Sequence, residues 1–330
     1  MTVLLCKKKA NCRLVNSIPK EVTILDEANL TFLPKSIKNP VEVENERIAH
    51  IKDGVALTKF ICWLKKNVGK IPITELSAGE KLYSFRAQQE NFIDNSFDPI
   101  ISYGIHAAIN HYSATPETDI AIEPGNFLLA DTGGHYYEGT TDTTRTIVMG
   151  SVNDEQKKYF TAVLRGMLNL GNAKFRYGCT GVNLDYLARG PLWEMGQDFN
   201  HGTGHGVGYL LNVHEGPNSF RWRIIQGDNA VLEEGMITSD EPGYYVENQY
   251  GIRHENLLVC KKAEKTSFGQ FMCFEHLTMV PFDLDAVVPE LMTVQERALL
   301  NNYHTQVYKK ISPYLEEEEK EWLKEATREI

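Results

Sequence analysis

The stretch Asp131-Thr132-Gly133-Gly134-His135-Tyr136-Tyr137-Glu138-Gly139-Thr140-Thr141-Asp142-Thr143-Thr144-Arg145-Thr146 joins two strand-like runs, Phe127 to Asp131 and Thr144 to Met149. Its two aspartates stand eleven positions apart, separated by glycines and small residues. That composition suits a turn between two strands and would set both carboxylates on one face of a sheet. Alone, the pair reads first as turn or capping residues. Company elsewhere in the chain changes the reading.

The second piece is His201-Gly202-Thr203-Gly204-His205-Gly206-Val207-Gly208, followed by Asn212-Val213-His214-Glu215-Gly216-Pro217. Two histidines four apart would make a metal-binding face on a helix, but the interspersed glycines oppose helix. In a strand, positions 201 and 205 share a side, and the glycines let another group approach the backbone closely. The glycine spacing matches neither a dinucleotide-binding nor a P-loop motif. The third piece, Ser239-Asp240-Glu241-Pro242-Gly243, ends an apolar strand. The fourth, Gly251-Ile252-Arg253-His254-Glu255-Asn256, precedes the apolar Leu257-Leu258-Val259. Each sets a carboxylate at a strand edge.

Outward from these pieces, helices alternate with strands. Asn39-Pro40 is an N-cap with proline at the first helical position, and the pattern predicts a helix to about residue 67. Ser77-Ala78-Gly79-Glu80 reads as a capping box opening a helix through about Phe92. Asn153 with Gln156, and Thr293 with Glu296, open two more, and Leu315 to Ile330 is a charged amphipathic helix. Further strand-like runs are Gly235 to Thr238, Leu257 to Lys261 and Leu277 to Val280. Residues 1–38 mix short β-prone pieces with Pro19 and Pro34 and read as an incomplete fragment rather than a domain with its own core.

The 330 residues allow about two domains or one large α+β unit. At 42% hydrophobic and 24% charged the chain is neither disordered nor collagen-like. No run approaches the about 18 apolar residues of a membrane span. The 34 basic and 44 acidic side chains leave a net charge of −10 without a long basic stripe, which argues against nucleic acid as the main partner. Six cysteines without a CxxC pair read as reduced thiols, which makes the cytoplasm the expected location.

Combined, Asp131, Asp142, Glu241 and Glu255 with His205 make an oxygen-rich pocket of formal charge −4. Such a cluster repels itself unless cations fill it, and two divalent ions match the charge. Hard carboxylate ligands with one imidazole suit manganese, cobalt or zinc pairs rather than a cysteine-based structural zinc. A metal pair about 3.5–4 Å apart can activate water and polarise a carbonyl. The ordered set Asp131, Asp142, His205, Glu241, Glu255 resembles the five ligands of the pita-bread metallopeptidases. With Ile109-Asn110-His111-Tyr112, the two histidine words, Glu241-Pro242-Gly243-Tyr244-Tyr245, Phe274-Glu275-His276-Leu277-Thr278 and Leu300-Asn301-Asn302-Tyr303-His304, the resemblance is to the cytosolic Xaa-Pro aminopeptidases.

The resemblance implies an α+β pita-bread fold, a curved antiparallel sheet with helices on its outer face and a pseudo-two-fold, plus a C-terminal helical extension. It implies a division into 1–38, the end of a preceding domain of a longer protein, 39–282, the catalytic domain, and 283–330, the extension. Asp131 would bind one metal, His205 and Glu241 the other, and Asp142 and Glu255 would bridge, with Mn(2+) first and Zn(2+) or Co(2+) as alternatives. Glu241 would also handle the proton of a metal-bridged hydroxide attacking the Xaa-Pro amide. His111, His201 and His214 would orient the scissile carbonyl and stabilise its oxyanion. Arg253 would brace the carboxylates, while His135 and His254 are read as structural. The implied activity is release of the N-terminal residue from peptides with proline second, with a homodimer left open. Alternatives are a prolidase acting on Xaa-Pro dipeptides, a non-catalytic peptide binder of the same fold, or a metal-free hydrolase of the creatinase kind. Among these, intact ligands favour catalysis.

Overall fold

In the computed structural model, residues 1–330 are described except Leu211 and Gln226. The first 38 residues hold two short parallel strands, β1 (Thr2–Leu5) and β2 (Thr23–Asp26), and two short helices, α1 (Cys12–Ser17) and α2 (Phe32–Ser36). None of the α1 residues is buried. Beyond α2 the chain is pinned to the rest of the molecule, where the Lys38 N–H donates to the Gly235 carbonyl at 3.0 Å and Ile37 bridges Met236.

From Asn39 the chain twice follows a similar course, helices first and then antiparallel strands. The first half comprises α3 (Pro40–Asn67), α4 (Glu75–Arg86), β3 (Phe92–Asn95), β4 (Ile100–Tyr103), β5 (Asn126–Thr132), β6 (Gly134–Tyr136), β7 (Gly139–Thr140) and β8 (Thr143–Met149). The second comprises α5 (Asp154–Gly171), β9 (Lys174–Arg176), α6 (Tyr186–Trp193), β10 (Gly204–His205), β11 (Ser219–Phe220), β12 (Ile237–Asp240), β13 (Gly243–Val246), β14 (Tyr250–Arg253), β15 (Asn256–Thr266) and β16 (Gly269–His276). Two helices close the chain, α7 (Val294–Ile311) and α8 (Glu317–Ala326).

The halves repeat one device. In the first, β5 pairs antiparallel with β8, and the β6–β7 hairpin is inserted between them. In the second, β12 pairs antiparallel with β15 around the inserted β13–β14 hairpin. The Thr146 hydroxyl stitches the halves together, donating to the Arg253 carbonyl at 2.9 Å and accepting from the Arg253 N–H at 3.0 Å. The Glu255 N–H donates to the Thr144 carbonyl at 3.1 Å. The result is the pita-bread arrangement.

Capping starts the helices as the sequence pattern predicts. The Asn39 side chain accepts from the N–H groups of Val41 and Glu42, and Glu42 reaches back to the Asn39 N–H at 2.8 Å. Asn153 with Gln156, and Thr293 with Glu296, form the same reciprocal pairs. The apolar faces then pack outside the sheet. Leu57, Phe60 and Leu64 of α3 meet Leu128 of β5 and Ile147 of β8, while Phe160, Leu164 and Leu168 of α5 share a core with Ile252 and with Leu300 and Tyr303 of α7. Each fully buried side chain of this size contributes about 1.5–3 kcal/mol, so the sheet has a rigid back.

Three local expectations shift. Ser77 is the third residue of α4 rather than its cap; Thr74 is the cap, and the helix stops at Arg86 because the chain turns, through a left-handed Asn91, into β3. The run Gly235 to Thr238 enters the sheet only at Ile237, since Gly235 has a positive φ of 92° and packs against the Lys38 carbonyl. Leu277 to Val280 is not a strand. Burial rather than sheet pairing accounts for its apolar character, and the strand next to β15 is the more polar β16 before it.

Candidate metal centre

The repeated hairpin device brings the carboxylates together. Asp131 lies near the end of β5 and Asp142 immediately before β8; Glu241 follows β12 and Glu255 immediately precedes β15. Because each pair of strands is antiparallel, all four positions fall at the same end of the joined sheet. His205 arrives on β10. That strand can lie this close because Gly204 has no side chain: a Cβ there would sit 1.8 Å from the Ser239 carbonyl oxygen.

The His205 Nδ1 lies 3.0 Å from the Gly206 carbonyl, which assigns the proton to that nitrogen. Its Nε2 lone pair then faces Asp142 Oδ2 at 3.4 Å and Glu241 Oε1 at 3.5 Å. Single ligand atoms of Asp142, His205 and Glu255 lie within 4.8 Å of one another. A lone pair aimed at two carboxylates is repulsive by itself, and a cation between them resolves it. Burial, then the negative charges of Asp131 and Glu241, push the Asp142 pKa well above its usual value. Burial and the Asp142 and Glu241 charges do the same to Glu255, and burial raises Glu241. The donor set therefore fits divalent ions.

A chain of oriented hydrogen bonds supports the Asp131 side. Arg253 donates through Nη2 to Asp131 Oδ2 and through Nη1 to the Tyr245 hydroxyl at 2.8 Å. That hydroxyl donates onward to His201 Nε2 at 2.9 Å, and His201 Nδ1 donates to the Gly202 carbonyl at 2.7 Å. Burial, with the Arg253 charge next, holds the His201 pKa down at about 3, so the ring is neutral. Both His201 nitrogens are committed within the protein. His214 stands edge-on to His205 with ring centroids 4.3 Å apart, and burial lowers its pKa.

Asp131, Asp142, His201, His205, His214, Glu241 and Arg253 line a cavity of about 600 Å³ together with His111, Phe97 and Ile100, and Glu255 sets its ligand atom beside those of Asp142 and His205. The structure thus brings together all eight residues expected at the site: Asp131, Asp142, His205, Glu241, Glu255, His111, His201 and His214, with Arg253 beside them. His135 lies outside this group, on β6 against Thr140, and His254 is buried edge-on to Phe160. Two participants have no reading in the sequence. Tyr245 sits inside a quoted word, yet only the β13–β14 register, Gly243 opposite Arg253, puts its hydroxyl between Arg253 and His201. Thr144 donates its hydroxyl to Glu255 Oε2 at 2.7 Å, a contact across the joined halves.

Residues 44–262 match the pattern of metallopeptidase family M24, and residues 270–330 match the C-terminal region of the same peptidases. The chain belongs to metallopeptidase family M24. Among similar proteins, a probable Xaa-Pro aminopeptidase P of Paracoccidioides brasiliensis (strain Pb03) is 43% identical over 303 residues, covering 90% of this chain and 49% of the relative. Aminopeptidase P1 of Arabidopsis thaliana is 38% identical, covering 96% of this chain and 53% of its own. The chain spans about half the length of the curated relatives it matches. The crystal structure of the X-prolyl aminopeptidase of Caenorhabditis elegans, described as a cytosolic enzyme with a di-nuclear active site, superposes with a TM-score of 0.88 at 36% identity, over 95% of this chain and 51% of that one. The Xaa-Pro dipeptidase of Bacillus anthracis gives 0.69 at 26% identity, over 85% of this chain and 73% of that one.

Proposed function

We propose that this M24 chain is a metal-dependent aminopeptidase that removes the N-terminal residue from peptides with proline in second position. The observation that carries the reading is the meeting of Asp131, Asp142, His205 and Glu241 in a cavity walled by His111 and His214, with Glu255 beside Asp142 and His205 at the same end of the sheet. Those five side chains would hold two divalent ions, with Mn(2+) proposed ahead of Zn(2+) and Co(2+). Bound there, the ions would polarise the scissile carbonyl and acidify water at the site.

The chain's own groups do the rest. Glu241, at the edge of the cavity beside His205, is placed to take the proton of the attacking water and return it to the departing amine. The Ser239 hydroxyl donates to Glu241 Oε1 at 3.0 Å and holds the carboxylate in place. His111 and His214 donate hydrogen bonds to the carbonyl oxygen as it gains charge. His201, with both nitrogens used, holds Tyr245 and through it Arg253 and Asp131. Proline's tertiary amide lacks an N–H, so its ring is recognised by shape, and Phe97 and Ile100 supply apolar wall.

The substrates proposed are peptides beginning Xaa-Pro, the proposed location is the cytoplasm, and the homodimer stays open. No helix among the described residues is long and apolar enough to cross a membrane. The test is release of arginine from Arg-Pro-Pro with manganese and with EDTA, beside the dipeptide Arg-Pro. Manganese-dependent cleavage of the tripeptide supports the reading. Cleavage of the dipeptide alone would make the chain a prolidase, and no cleavage with no metal bound would leave a non-catalytic binder.

A further inference from the structure

Arg145 is fully buried on β8, three residues beyond Asp142, and all six of its hydrogen bonds go to neutral oxygens. Its Nη1 is shared between the carbonyls of Thr144, at 2.8 Å, and Glu255, at 2.6 Å. Those two residues are already joined by the Glu255 N–H on the Thr144 carbonyl and by the Thr144 hydroxyl on the Glu255 carboxylate. Nη2 reaches the Asn256 side-chain oxygen at 2.7 Å, the Val280 carbonyl at 2.9 Å and the Tyr303 hydroxyl at 3.0 Å. The guanidinium lies over the Phe282 ring, 4.0 Å from its centroid. Tyr303 belongs to α7, and its hydroxyl also accepts from the Val280 N–H at 3.3 Å.

A buried cation is costly unless its whole hydrogen-bonding capacity is met. Here the structure meets it with groups from four separate places: β8, the start of β15, the segment at 280–282, and α7. We propose that Arg145 and Tyr303 are positioning residues for Glu255, and that α7 through them sets how tightly the centre holds its metal ions. The inference rests on the metal reading above. The planar fork fixes the Glu255 backbone against Thr144, so the carboxylate keeps its direction without an ion pair to Arg145. Tyr303 fixes the fork. Loss of either loosens the ligand while leaving all five proposed ligands in the chain.

The test is titration of manganese into metal-free protein by calorimetry, with elemental analysis of the loaded form, for wild type, Tyr303→Phe, Arg145→Lys and Ile311→Ala. Tyr303→Phe keeps the ring and removes only the hydroxyl; Arg145→Lys keeps the charge and removes the fork. Ile311 is fully buried at the far end of α7, and its aliphatic side chain supplies no hydrogen bond to this network, so Ile311→Ala loosens the helix packing without removing a polar contact. The expected result is a loss of about 10-fold or more in affinity for at least one ion in Tyr303→Phe and Arg145→Lys, with Ile311→Ala binding as wild type. Wild-type affinity in both network variants would overturn the inference, as would an equal loss in Ile311→Ala. Wild type that binds no ion pair would instead remove the metal reading, and this inference with it.

Discussion

Asp142→Asn should have opposite effects on stability with and without metal. Asp142 and Glu255 present ligand atoms within 4.8 Å of each other, and at that separation two unit charges repel by about 3.5 kcal/mol at an effective dielectric constant of about 20. Asparagine removes that repulsion, or the proton uptake that relieves it, and keeps the shape, leaving a net gain of about 2–3 kcal/mol in metal-free protein after the cost of a buried amide. Unfolding entropy of about 2.1 cal/mol/K per residue makes this about 3–4 °C in Tm for a chain of 330 residues. With manganese at 100 times Kd, wild type gains about 2.7 kcal/mol per ion, which the variant largely forgoes. Calorimetric melting at pH 7.5 should therefore place the variant above wild type in EDTA and below it in manganese.

The pH dependence follows with a definite sign. Folding raises the Asp142 and Glu255 pKa values, so the folded chain keeps protons that the unfolded chain releases above about pH 4. Their stability contribution is complete below that pH and is lost as pH rises through the folded values. The metal-free advantage of Asp142→Asn should accordingly shrink toward pH 4. A variant less stable than wild type in EDTA at pH 7.5, or one that gains as much from manganese, would refute the clustering of charge argued here.

Gly204→Ala should abolish manganese binding and lower Tm, because the new Cβ would fall 1.8 Å from the Ser239 carbonyl oxygen and push β10, with His205, off β12; wild-type metal content by elemental analysis would count against the placement of His205. His304→Gln tests a buried neutral histidine away from the centre. Burial holds His304 down at about 3, so below its unfolded value of about 6.5 the unfolded chain binds a proton the folded chain refuses, and stability falls as pH drops. Glutamine can still accept from the Phe282 N–H, now 3.1 Å from His304 Nε2. Urea unfolding should show a slope shallower by about 0.7 kcal/mol per pH unit at pH 6.5, rising to about 1.3 at pH 5, and an unchanged slope would mean His304 is already protonated when folded.

What could be read from residue order was whatever depends on local chemistry. Asn39 with Glu42, Asn153 with Gln156 and Thr293 with Glu296 cap their helices through contacts three residues apart. The carboxylates were legible because charge of one sign recurs at strand edges and needs an explanation. Hairpin register was not legible. Tyr245 reaches Arg253 only because Gly243 pairs with Arg253 across β13 and β14, and a slip of one residue would turn its side chain to the other face. Arg145 was equally silent: its partners at 256, 280 and 303 are 111, 135 and 158 positions away. Leu277 to Val280 misled because an apolar run under α7 carries the same composition as a buried strand.

The two arginines show why the halves, alike in connectivity, are unequal in charge. Arg253 contacts the Asp131 carboxylate directly and so offsets one of four negative charges at the centre. Arg145 lies on the Glu255 side but contacts only its backbone carbonyl, leaving the carboxylate to the Thr144 hydroxyl. A direct ion pair at Glu255 as well would compete with metal for the same oxygens and leave the centre with a charge of only −2. A cation held one peptide away steadies the ligand while leaving the site more negative than a salt bridge would. Its fixed distance from the carboxylate depends on neutral oxygens, and one of those is the hydroxyl of Tyr303 on α7. The helix that follows the sheet is in this sense part of the centre, although none of its residues lines the cavity.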